Sequence, residues 1–347
     1  MRRRGRSERA TLADVARLAG VSPTTASKVL NGRSDVGART RALVLGVMAE
    51  IGYQATTARH THTRDRTLLT LLDIVESRYA GTVLQGILLA ATSAQARLLL
   101  QLPTGEPTTT SHTAAHAWLT EQQTAGVAGI IALAVAVPDP IIQAAQDLPM
   151  PIVTIDPIDT TESRLVSIGS TNWAGGRSAT EHVIKLGHRT IAWIGGPPGS
   201  APSLERFHGY QAALDSAGIP PNRTLIRHEA FSVEAGLRHG HDLLTHPQPP
   251  TAIIAGNDEI AVGVLTAAQH LNIPVPGQLS ITGFDDTPQT QWTTPHLTSV
   301  RQPLAGMGRM AVETVLAMAD GTQPASQHLQ LATTLSIRDS TGPAPTP

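Results

Sequence analysis

Residues Thr11 to Gly32 have the sequence TLADVARLAGVSPTTASKVLNG, and this stretch determines the architecture of the N-terminal region. Apolar residues recur in it at spacings of three and four on both sides of Gly20, which indicates two short amphipathic helices. Gly20 allows the first helix to end in a tight turn. Ser22 followed by Pro23 is typical of a helix cap and the first helical position. Two helices joined by so short a turn form a helix-turn-helix motif.

Both helices have an apolar face that can close a small core with a third helix. Thr11 and Asp14 form a capping-box-like start for the first helix, and Val21 can plug the turn against the core. We expect the third helix over residues 38–51. The side chains predicted to face this core are Leu12, Val15, Ala16, Ala19, Ala26, Val29, Leu30, Leu43, Val44, Val47, Met48 and Ile51.

The second helix also has an outward face of small polar residues and one lysine. In a helix-turn-helix the second helix enters the major groove of DNA, where short side chains near its N-terminus can approach base edges closely. Lys28 can donate to guanine O6 and N7 or to a phosphate. The outward positions are Pro23, Thr24, Thr25, Ser27 and Lys28.

Charge is divided unevenly along the chain. The 347 residues include 26 Lys and Arg and 27 Asp and Glu, a net charge of −1. Residues 1–66 hold 13 basic and 5 acidic residues, a net +8, which leaves −9 for residues 67–347. Such asymmetry favours a nucleic-acid-binding head on an acidic body. For residues 1–6 taken alone, an unstructured basic end is the simpler interpretation.

The motifs of the head closely resemble those of the lactose/galactose repressor family of bacterial transcription regulators. The resemblance rests on residues 11–22, on Ser-Lys-Val-Leu-Asn-Gly at 27–32 and on Ile-Gly-Tyr at 51–53. It implies that Pro23 and Thr24 contact bases and that Lys28 is the family's basic contact. With two hinge residues added, the predicted DNA-binding set is Thr11, Ser22, Pro23, Thr24, Thr25, Ser27, Lys28, Asn31, Tyr53, Arg59 and His62.

The segment 54–66, which corresponds to the family's hinge, departs from the family pattern. Members usually follow Gly-Tyr with a short helix whose Leu wedges into the minor groove and kinks the DNA. Here there is no Leu, and His62 stands close to the wedge position. Arg59, Arg64 and Arg66 keep the segment basic, so we expect contact with DNA and a weaker or differently placed kink. His62 is either a pH-sensitive hinge residue or a plain solvated histidine.

After Thr67 the sequence alternates short apolar runs with helical patterns. This alternation predicts βαβ units and parallel sheets. One series of such units ends near residue 155 and a second begins at Asn172, so the predicted fold class of the body is α/β with two successive parallel sheets. Small ligands bind at the carboxyl ends of such strands. The pattern of residues 67–347 therefore predicts a two-lobed ligand-binding body.

The family resemblance extends over roughly residues 67–340, through motifs such as Gly-Asn-Asp at 256–258 and Gly-Phe-Asp-Asp at 283–286. It implies a lambda-repressor-like head and a periplasmic-binding-protein-like body with a sugar in the interlobe cleft. Carboxylate, amide and guanidinium groups suit sugar hydroxyls, and aromatic faces can stack on a sugar ring. The predicted effector-binding set is Asp73, Arg78, Tyr79, Trp173, Arg206, Asn257, Asp285 and Trp292. A structural ion pair for Arg206 with Asp285, and plain packing for Tyr79 and Trp173, are the alternatives.

The predicted domain organisation combines a head, a hinge and a body made of two discontinuous lobes. The segments are a disordered basic arm (1–10), the helix-turn-helix (11–53), the hinge (54–66), an effector-binding domain (67–338) and a flexible tail (339–347). Within the effector-binding domain, we expect an N-terminal lobe of residues 67–169 and 302–322 and a C-terminal lobe of residues 170–301 and 323–338. The tail has no heptad pattern and therefore predicts no tetramerisation helix.

Composition and motifs exclude several function classes. The absence of cysteine excludes a disulfide scaffold and a thiolate metal site. The Gly-rich run at 195–199 is not followed by Gly-Lys-Ser/Thr, no Gly-x-Ser-x-Gly is present, and the histidines form no zinc motif, so we expect no enzyme activity, cofactor or metal. The N-terminus does not have the pattern of a signal peptide, and the apolar stretch 127–137 is too short to span a bilayer. We therefore expect a cytoplasmic protein.

Together these patterns predict a sequence-specific transcription regulator, a repressor by resemblance, that binds double-stranded DNA as a homodimer. The expected operator is pseudo-palindromic because two heads contact two half-sites, and the expected effector is a small molecule, a sugar by resemblance. The alternative is a sugar-binding or sugar-processing α/β protein whose DNA-binding head is vestigial. Whether the effector releases DNA or promotes its binding is left open by the sequence.

Replacement of Lys28 by alanine tests whether this residue contacts a base. If it donates to guanine, Lys28→Ala lowers affinity for the specific site by about ten-fold or more and relaxes the preference at that base pair. Fluorescence anisotropy with specific and scrambled duplexes, at several salt concentrations, measures both effects. An unchanged sequence preference with only a shallower salt dependence contradicts the base contact and assigns Lys28 to a phosphate.

Overall fold

The computed structural model describes residues 12–30, 36–50, 66–72, 77–102, 111–157 and 164–346. It divides the chain into two units, residues 1–65 and 66–347, each of which is considered by itself. In the first unit, the helices are α1 (Leu12–Leu18), α2 (Pro23–Leu30) and α3 (Ala38–Glu50).

The turn between α1 and α2 has the geometry that the sequence predicts. Gly20 has a φ of +63°, a left-handed conformation that glycine adopts without strain. The Oγ atom of Ser22 accepts a hydrogen bond from the backbone N–H of Thr25 at 3.0 Å and so caps α2. The predicted turn and the predicted cap are both confirmed.

A small apolar core joins the three helices. It consists of Val15, Ala16, Ala19, Ala26, Val29, Val44 and Met48, with Val21, Val36 and Val47 at its edge. The prediction for Leu43 is wrong, because its side chain is 53% exposed. Leu43 directly precedes the buried Val44 and is therefore rotated from it by about 100° around the helix. The side chains of Leu12, Leu30 and Ile51 lie outside the described part of the chain.

The second unit contains two sheets covered by helices. Its strands are β1 (Thr67–Leu71), β2 (Arg97–Gln101), β3 (Val127–Leu133), β4 (Ile152–Ile155), β5 (Val166–Ser170), β6 (Ile191–Gly195), β7 (Ile226–His228), β8 (Ala252–Ala255), β9 (Ser280–Asp285), β10 (Thr298–Arg301), β11 (His328–Leu331) and β12 (Thr334–Ser336). Its helices are α4 (Arg78–Ser93), α5 (His112–Thr124), α6 (Asp139–Asp147), α7 (Asn172–Lys185), α8 (Ala201–Ser216), α9 (Val233–Leu244), α10 (Asp258–His270) and α11 (Leu304–Ala319).

The strand order defines two lobes. The first sheet has the order β11-β5-β4-β3-β1-β2 with all strands parallel, and we call it, with α4, α5, α6 and α11, the N-lobe. The second has the order β12-β10-β9-β8-β6-β7, with only β12 antiparallel, and forms the C-lobe with α7 to α10. The predicted α/β class with two sheets is confirmed. None of the described helices is long and apolar enough to cross a membrane.

The chain passes between the lobes after β5, after β10 and between β11 and β12. Residues 328–331 pair with β5 and thus lie in the N-lobe, whereas they were expected in the C-terminal lobe. The predicted flexible tail also differs. Ser340 donates to the carbonyl of Ile281 at 2.6 Å, and the N–H of Ala344 donates to the carbonyl of Leu186 at 2.8 Å. These bonds fix the tail to the C-lobe although its composition is typical of a free terminus.

Three helix pairs approach so closely that only glycine fits where they cross. A methyl group added at Gly86 would overlap the carbonyl of Ala305, and one added at Gly176 would overlap the carbonyl of Arg206. The glycines at these crossings are Gly86 and Gly308 between α4 and α11, Gly176 and Gly209 between α7 and α8, and Gly236 and Gly263 between α9 and α10. The second pair brings Arg206 against the first turn of α7.

Replacement of Gly86 by alanine tests the close approach of α4 and α11. The added methyl group would overlap the Ala305 carbonyl, so we expect the free energy of unfolding to fall by about 1–3 kcal/mol. Gly81→Ala is the matched control, since Gly81 lies on the same helix with open space around it, and alanine favours helix over glycine. Urea unfolding compares the two variants. Equal stability of both would contradict the close packing.

Candidate functional site

Polar side chains gather at the carboxyl ends of the central strands of both lobes. Asp156 directly follows β4, Ser170 ends β5 and Asp285 ends β9. Asp156 and Asp285 have φ angles of +44° and +101°, which non-glycine residues rarely adopt and which are typical of functional sites. Because the lobes are connected at this edge, these residues meet in the cleft between them.

Arg206 on α8 is the central cation of this cleft, with only 4% of its surface exposed. Its Nε donates to Oδ1 of Asn172 at 2.8 Å, and its Nη1 donates to the carbonyl of Gly256 at 2.8 Å. The same Nη1 lies 3.4 Å from Oδ1 of Asp285. The guanidinium also lies 3.8 Å from the centre of the Phe284 ring, an arrangement that further stabilises a buried cation.

Asp285 is held between this guanidinium and Gln302. Nε2 of Gln302 donates to Oδ1 of Asp285 at 2.6 Å. Burial raises the pKa of Asp285 to about 7; the positive charge of Arg206 and the hydrogen bond from Gln302 oppose this effect, and the charges of Asp156 and Glu259 add to it. Burial therefore disfavours the ionised form of Asp285.

Gln302 extends the same network to the N-lobe. Its Oε1 accepts a hydrogen bond from Ser170 at 2.5 Å, and the side-chain amide of Asn172 donates to the carbonyl of Ser170 at 3.3 Å. Asn172 follows the first connection between the lobes and Gln302 lies on the second. Arg206, Asp285, Gln302, Ser170 and Asn172 thus form one hydrogen-bonded network, which we call the crossover network.

Asp156 and Tyr79 face this network from the N-lobe. The hydroxyl of Tyr79 donates to Oδ2 of Asp156 at 2.6 Å, whereas Oδ1 of Asp156 has no hydrogen-bond donor among the described residues. Burial raises the pKa of Asp156, opposed by the charge of Arg206 and the bond from Tyr79. Sequence reasoning missed Asp156, although its position directly after a buried strand is a signal that could have identified it.

Asn257 and Asp258 have roles that the sequence does not reveal. Oδ1 of Asn257 caps α10 by accepting from the N–H of Ile260 at 2.9 Å, and its Nδ2 group is the donor that a ligand could use. Asp258, also missed, accepts from the N–H and hydroxyl of Thr287 at 2.7 and 2.8 Å and from Ser299 at 2.5 Å. Asp258 therefore joins α10 to the segments beside β9 and β10.

The rim of the cleft is bridged by contacts between the lobes. The carboxylate of Glu259 on the C-lobe accepts from the hydroxyl of Ser77 at 3.2 Å and from the N–H of Arg78 at 3.3 Å, at the start of α4. The guanidinium of Arg78 lies 5.6 Å from the ring centre of Trp292, which is 66% exposed. A carboxylate at a helix N-terminus is favourable, so Glu259 stabilises the approach of the lobes.

Of the predicted effector residues, the structure brings Tyr79, Arg206 and Asp285 together, with Asn257 beside them, and places Arg78 and Trp292 at the rim. Trp173 is partly exposed, and its ring is covered by the guanidinium of Arg177 one turn later on α7 at 5.4 Å. Asp73 lies outside the described residues. In the part of the chain that is described, no group of three or more His, Asp or Glu is arranged to hold a metal ion.

The candidate DNA-contacting surface lies on α2. Pro23, Thr24 and Lys28 are exposed, as a base-contacting face requires. Ser22 and Thr25 are engaged with one another, since the Ser22 oxygen caps the helix and lies 2.9 Å from the Thr25 hydroxyl. The remaining predicted DNA contacts fall outside the described residues or have undescribed side chains: Thr11, Ser27, Asn31, Tyr53, Arg59 and His62.

Arg66, the last basic residue of the predicted hinge, has a partner within the body. Its two terminal nitrogens donate to the carboxylate of Asp320 at 3.0 and 2.5 Å, just after the end of α11. Such a bidentate pair is the strong form of a surface ion pair. It attaches the start of β1 to α11, so Arg66 is engaged within the N-lobe.

A helix-turn-helix head and a two-lobed body with a polar cleft define the class of ligand-controlled transcription regulators. Residues 11–55 match the model for bacterial regulatory proteins of the lacI family, and residues 180–341 match the periplasmic binding protein-like domain. The transcriptional regulator CelR of Thermobifida fusca is 31% identical over 345 residues, which cover 96% of this chain and 99% of that protein. The regulator DegA of Bacillus subtilis is also 31% identical, over 96% of this chain and 98% of its own.

The solved structures that resemble this chain are also transcription regulators. The CelR–cellobiose complex has a TM-score of 0.70 and 27% identity, and it covers 96% of this chain and 100% of its own. The lac repressor dimer bound to operator and the anti-inducer ONPF has a TM-score of 0.69 and 25% identity, with the same coverage. The chain therefore belongs to the LacI family of bacterial transcription regulators. Its relatives are regulators rather than enzymes, which confirms the predicted class.

Removal of Arg206 tests the electrostatics of the crossover network. Arg206→Ala removes the charge that lowers the Asp285 pKa, and the loss of one partner of a buried pair costs about 3–5 kcal/mol. The pKa of an Asp in the unfolded chain is about 3.9. Between that pH and the raised pKa of Asp285 in the folded state, the folded protein binds more protons than the unfolded chain, so its stability falls as the pH rises. Without Arg206 the folded pKa is higher still, and this fall continues to a higher pH. We therefore expect the variant to lose more stability at pH 8 than at pH 6 in urea unfolding.

The control for this prediction is the double variant Arg206→Ala with Asp285→Asn. An asparagine cannot ionise, so the extra loss at pH 8 should be smaller in the double variant, in which Asp156 still lacks the compensating charge of Arg206. If the loss of stability from Arg206→Ala is the same at both pH values, Asp285 is not the group that Arg206 compensates.

Proposed function

We propose that this chain is a homodimeric repressor that binds a pseudo-palindromic operator under the control of a small saccharide. The observation that carries the proposal is the polar cleft, in which Tyr79 and Asp156 of the N-lobe face Arg206 and Asp285 of the C-lobe. Carboxylates accept hydrogen bonds from two hydroxyls at once, and a guanidinium donates in a fixed fork, so the set suits a polyhydroxylated ligand. The cellobiose complex of CelR supports a saccharide.

The control mechanism that we propose is a change in the relative position of the lobes. A ligand that bonds to Asp156 on one lobe and to Asp285 on the other favours lobe positions in which both groups reach it. The crossover network lies on two of the three connections between the lobes, so it is sensitive to that change. An effector shifts the equilibrium only by the difference in its affinity for the two states.

For DNA binding, we propose that Pro23, Thr24 and Lys28 of α2 contact base edges, with Thr11, Thr25, Ser27 and Asn31 close to the DNA and Ser22 holding the helix end. We also propose that residues 54–66 form the hinge, with Tyr53, Arg59 and His62 beside the minor groove. The lac repressor dimer on its operator supports two heads on two half-sites. A regulator of this kind acts on DNA, and we accordingly propose a cytoplasmic location.

Operator binding with and without saccharide tests the proposed function. A labelled duplex from the region upstream of the chain's own gene should bind with a Kd of about 10⁻⁸ to 10⁻¹¹ M. A saccharide such as cellobiose should change that affinity by about 5- to 150-fold. Fluorescence anisotropy measures both quantities, and a scrambled duplex of equal length is the control.

Two results would count against this function. Equal affinity for the upstream and scrambled duplexes contradicts sequence-specific regulation. If, in addition, the chain converts a saccharide to a product, the alternative of a sugar-processing protein with a vestigial head is favoured.

A further inference from the structure

The cleft holds more carboxyl groups than cations. Asp156, Asp258 and Asp285 are buried at its base, and Glu259 is partly buried at its rim. Burial raises the pKa of the partly buried Glu205, one residue before Arg206, and the neighbouring Asp156 carboxylate raises it further. Burial raises the pKa of each of these five acids, that of Asp258 strongly, so a further negative charge beside them is unfavourable. A single buried guanidinium stands against them.

The charge of that guanidinium is already compensated. Arg206 donates through Nε to Asn172 and through Nη1 to Gly256, and Nη1 lies beside the carboxyl group of Asp285, so a ligand can still accept a hydrogen bond from Arg206 but meets little net positive charge there. The only lysine of residues 67–347 is Lys185 at the last turn of α7. It stands about 20 Å along that helix from Asn172, which contacts Arg206. Arg78 lies exposed at the rim over Trp292. Among the described residues, the base of the cleft therefore presents no cation whose charge is uncompensated.

One acceptor in the cleft lacks a donor. Asp156 is only 6% exposed, and its Oδ1 has no hydrogen-bond partner among the described residues, whereas its Oδ2 is held by Tyr79. A buried carboxylate oxygen without a donor is unfavourable. A ligand hydroxyl or ammonium would supply the donor, but a phosphate or carboxylate at this place has only acceptors and adds a further negative charge.

We propose that the cleft selects uncharged or cationic saccharides and rejects their anionic derivatives, the sugar phosphates and sugar acids, with Asp156 as the residue that sets this charge preference. This inference rests on the proposed saccharide effector and adds its charge class. A neutral sugar satisfies Oδ1 of Asp156 with a hydroxyl, and an amino sugar satisfies it with an ammonium that also offsets the surplus of carboxylates.

Matched saccharide pairs test the preference on the full-length protein. Thermal-shift assays and titration calorimetry compare ribose with ribose 5-phosphate, cellobiose with cellobionate, and glucose with glucose 6-phosphate and glucosamine. We expect the neutral member of the binding pair to bind at least about ten-fold more tightly than its anionic derivative, and glucosamine to bind no more weakly than glucose. An anionic member that binds as tightly as its neutral parent, or more tightly, overturns the inference while the proposed function stands.

The variant Asp156→Asn tests whether Asp156 causes the preference for neutral over anionic saccharides. The asparagine oxygen still accepts from Tyr79, but the negative charge is gone, so the ratio of neutral to anionic affinity should fall several-fold. Asp215→Asn is the matched control, because it removes the same charge from an exposed position near the end of α8. An unchanged ratio in Asp156→Asn, or an equal change in the control, contradicts the role of Asp156.

A ligand-free measurement tests the unpartnered acceptor independently of any saccharide. Because burial raises the pKa of Asp156 and its Oδ1 lacks a donor, the ionised carboxylate is unfavourable in the folded protein. Asp156→Asn should therefore melt at a higher temperature than the unchanged protein at pH 8, and the difference should be larger at pH 8 than at pH 6. A lower or equal melting temperature contradicts the inference. If no saccharide of any charge affects the protein, the proposed function fails, and this measurement still decides whether Asp156 is an uncompensated acceptor.

Discussion

The buried guanidinium of Arg206 joins three parts of the C-lobe through its hydrogen bonds and its ion pair. Its hydrogen bonds and ion pair reach the start of α7, the end of β8 and the end of β9, three points that the chain visits far apart in sequence. A buried cation is tolerated only when its donors are satisfied. Arg206 therefore holds these three parts of the C-lobe together. Gln302, which donates to Asp285 and accepts from Ser170, connects them to the N-lobe.

The close packing of α7 and α8 positions the groups of the cleft through which a ligand could affect the position of the lobes. Gly176 and Gly209 let α7 and α8 cross closely enough for Arg206 to reach Asn172. The carboxylates of Asp156 and Asp285 then face one another across the lobes at high energetic cost, since both are buried and the pKa of each is raised. A ligand that supplies donors to these groups lowers that cost, and so its binding is coupled to the position of the lobes.

Much of the fold follows from sequence because its pattern is local. The alternation of apolar runs and helical patterns after Thr67 predicts the two successive sheets, and the Ser22 cap and the Gly20 turn follow from residue chemistry. The lobe to which residues 328–331 belong could not be predicted, because β11 pairs with β5, which is distant in sequence. The packed tail was missed for the same reason.

In the candidate site, too, features that depend on residues distant in sequence could not be predicted. Arg206 and Asp285 could be predicted, since they stand in family-like motifs, whereas Asp156 has no motif and its importance depends on Tyr79 and on the facing lobe. Asn257 was predicted as an effector residue, whereas its oxygen caps α10, a role that asparagine commonly has at the start of a helix.

Coupling between occupation of the cleft and binding of DNA must be reciprocal. Titration calorimetry measures the Kd of a binding saccharide for the free protein and for the protein saturated with its operator duplex. We expect two different values, whose ratio equals the factor by which that saccharide changes operator affinity. An identical saccharide Kd in the presence and absence of operator would contradict this coupling.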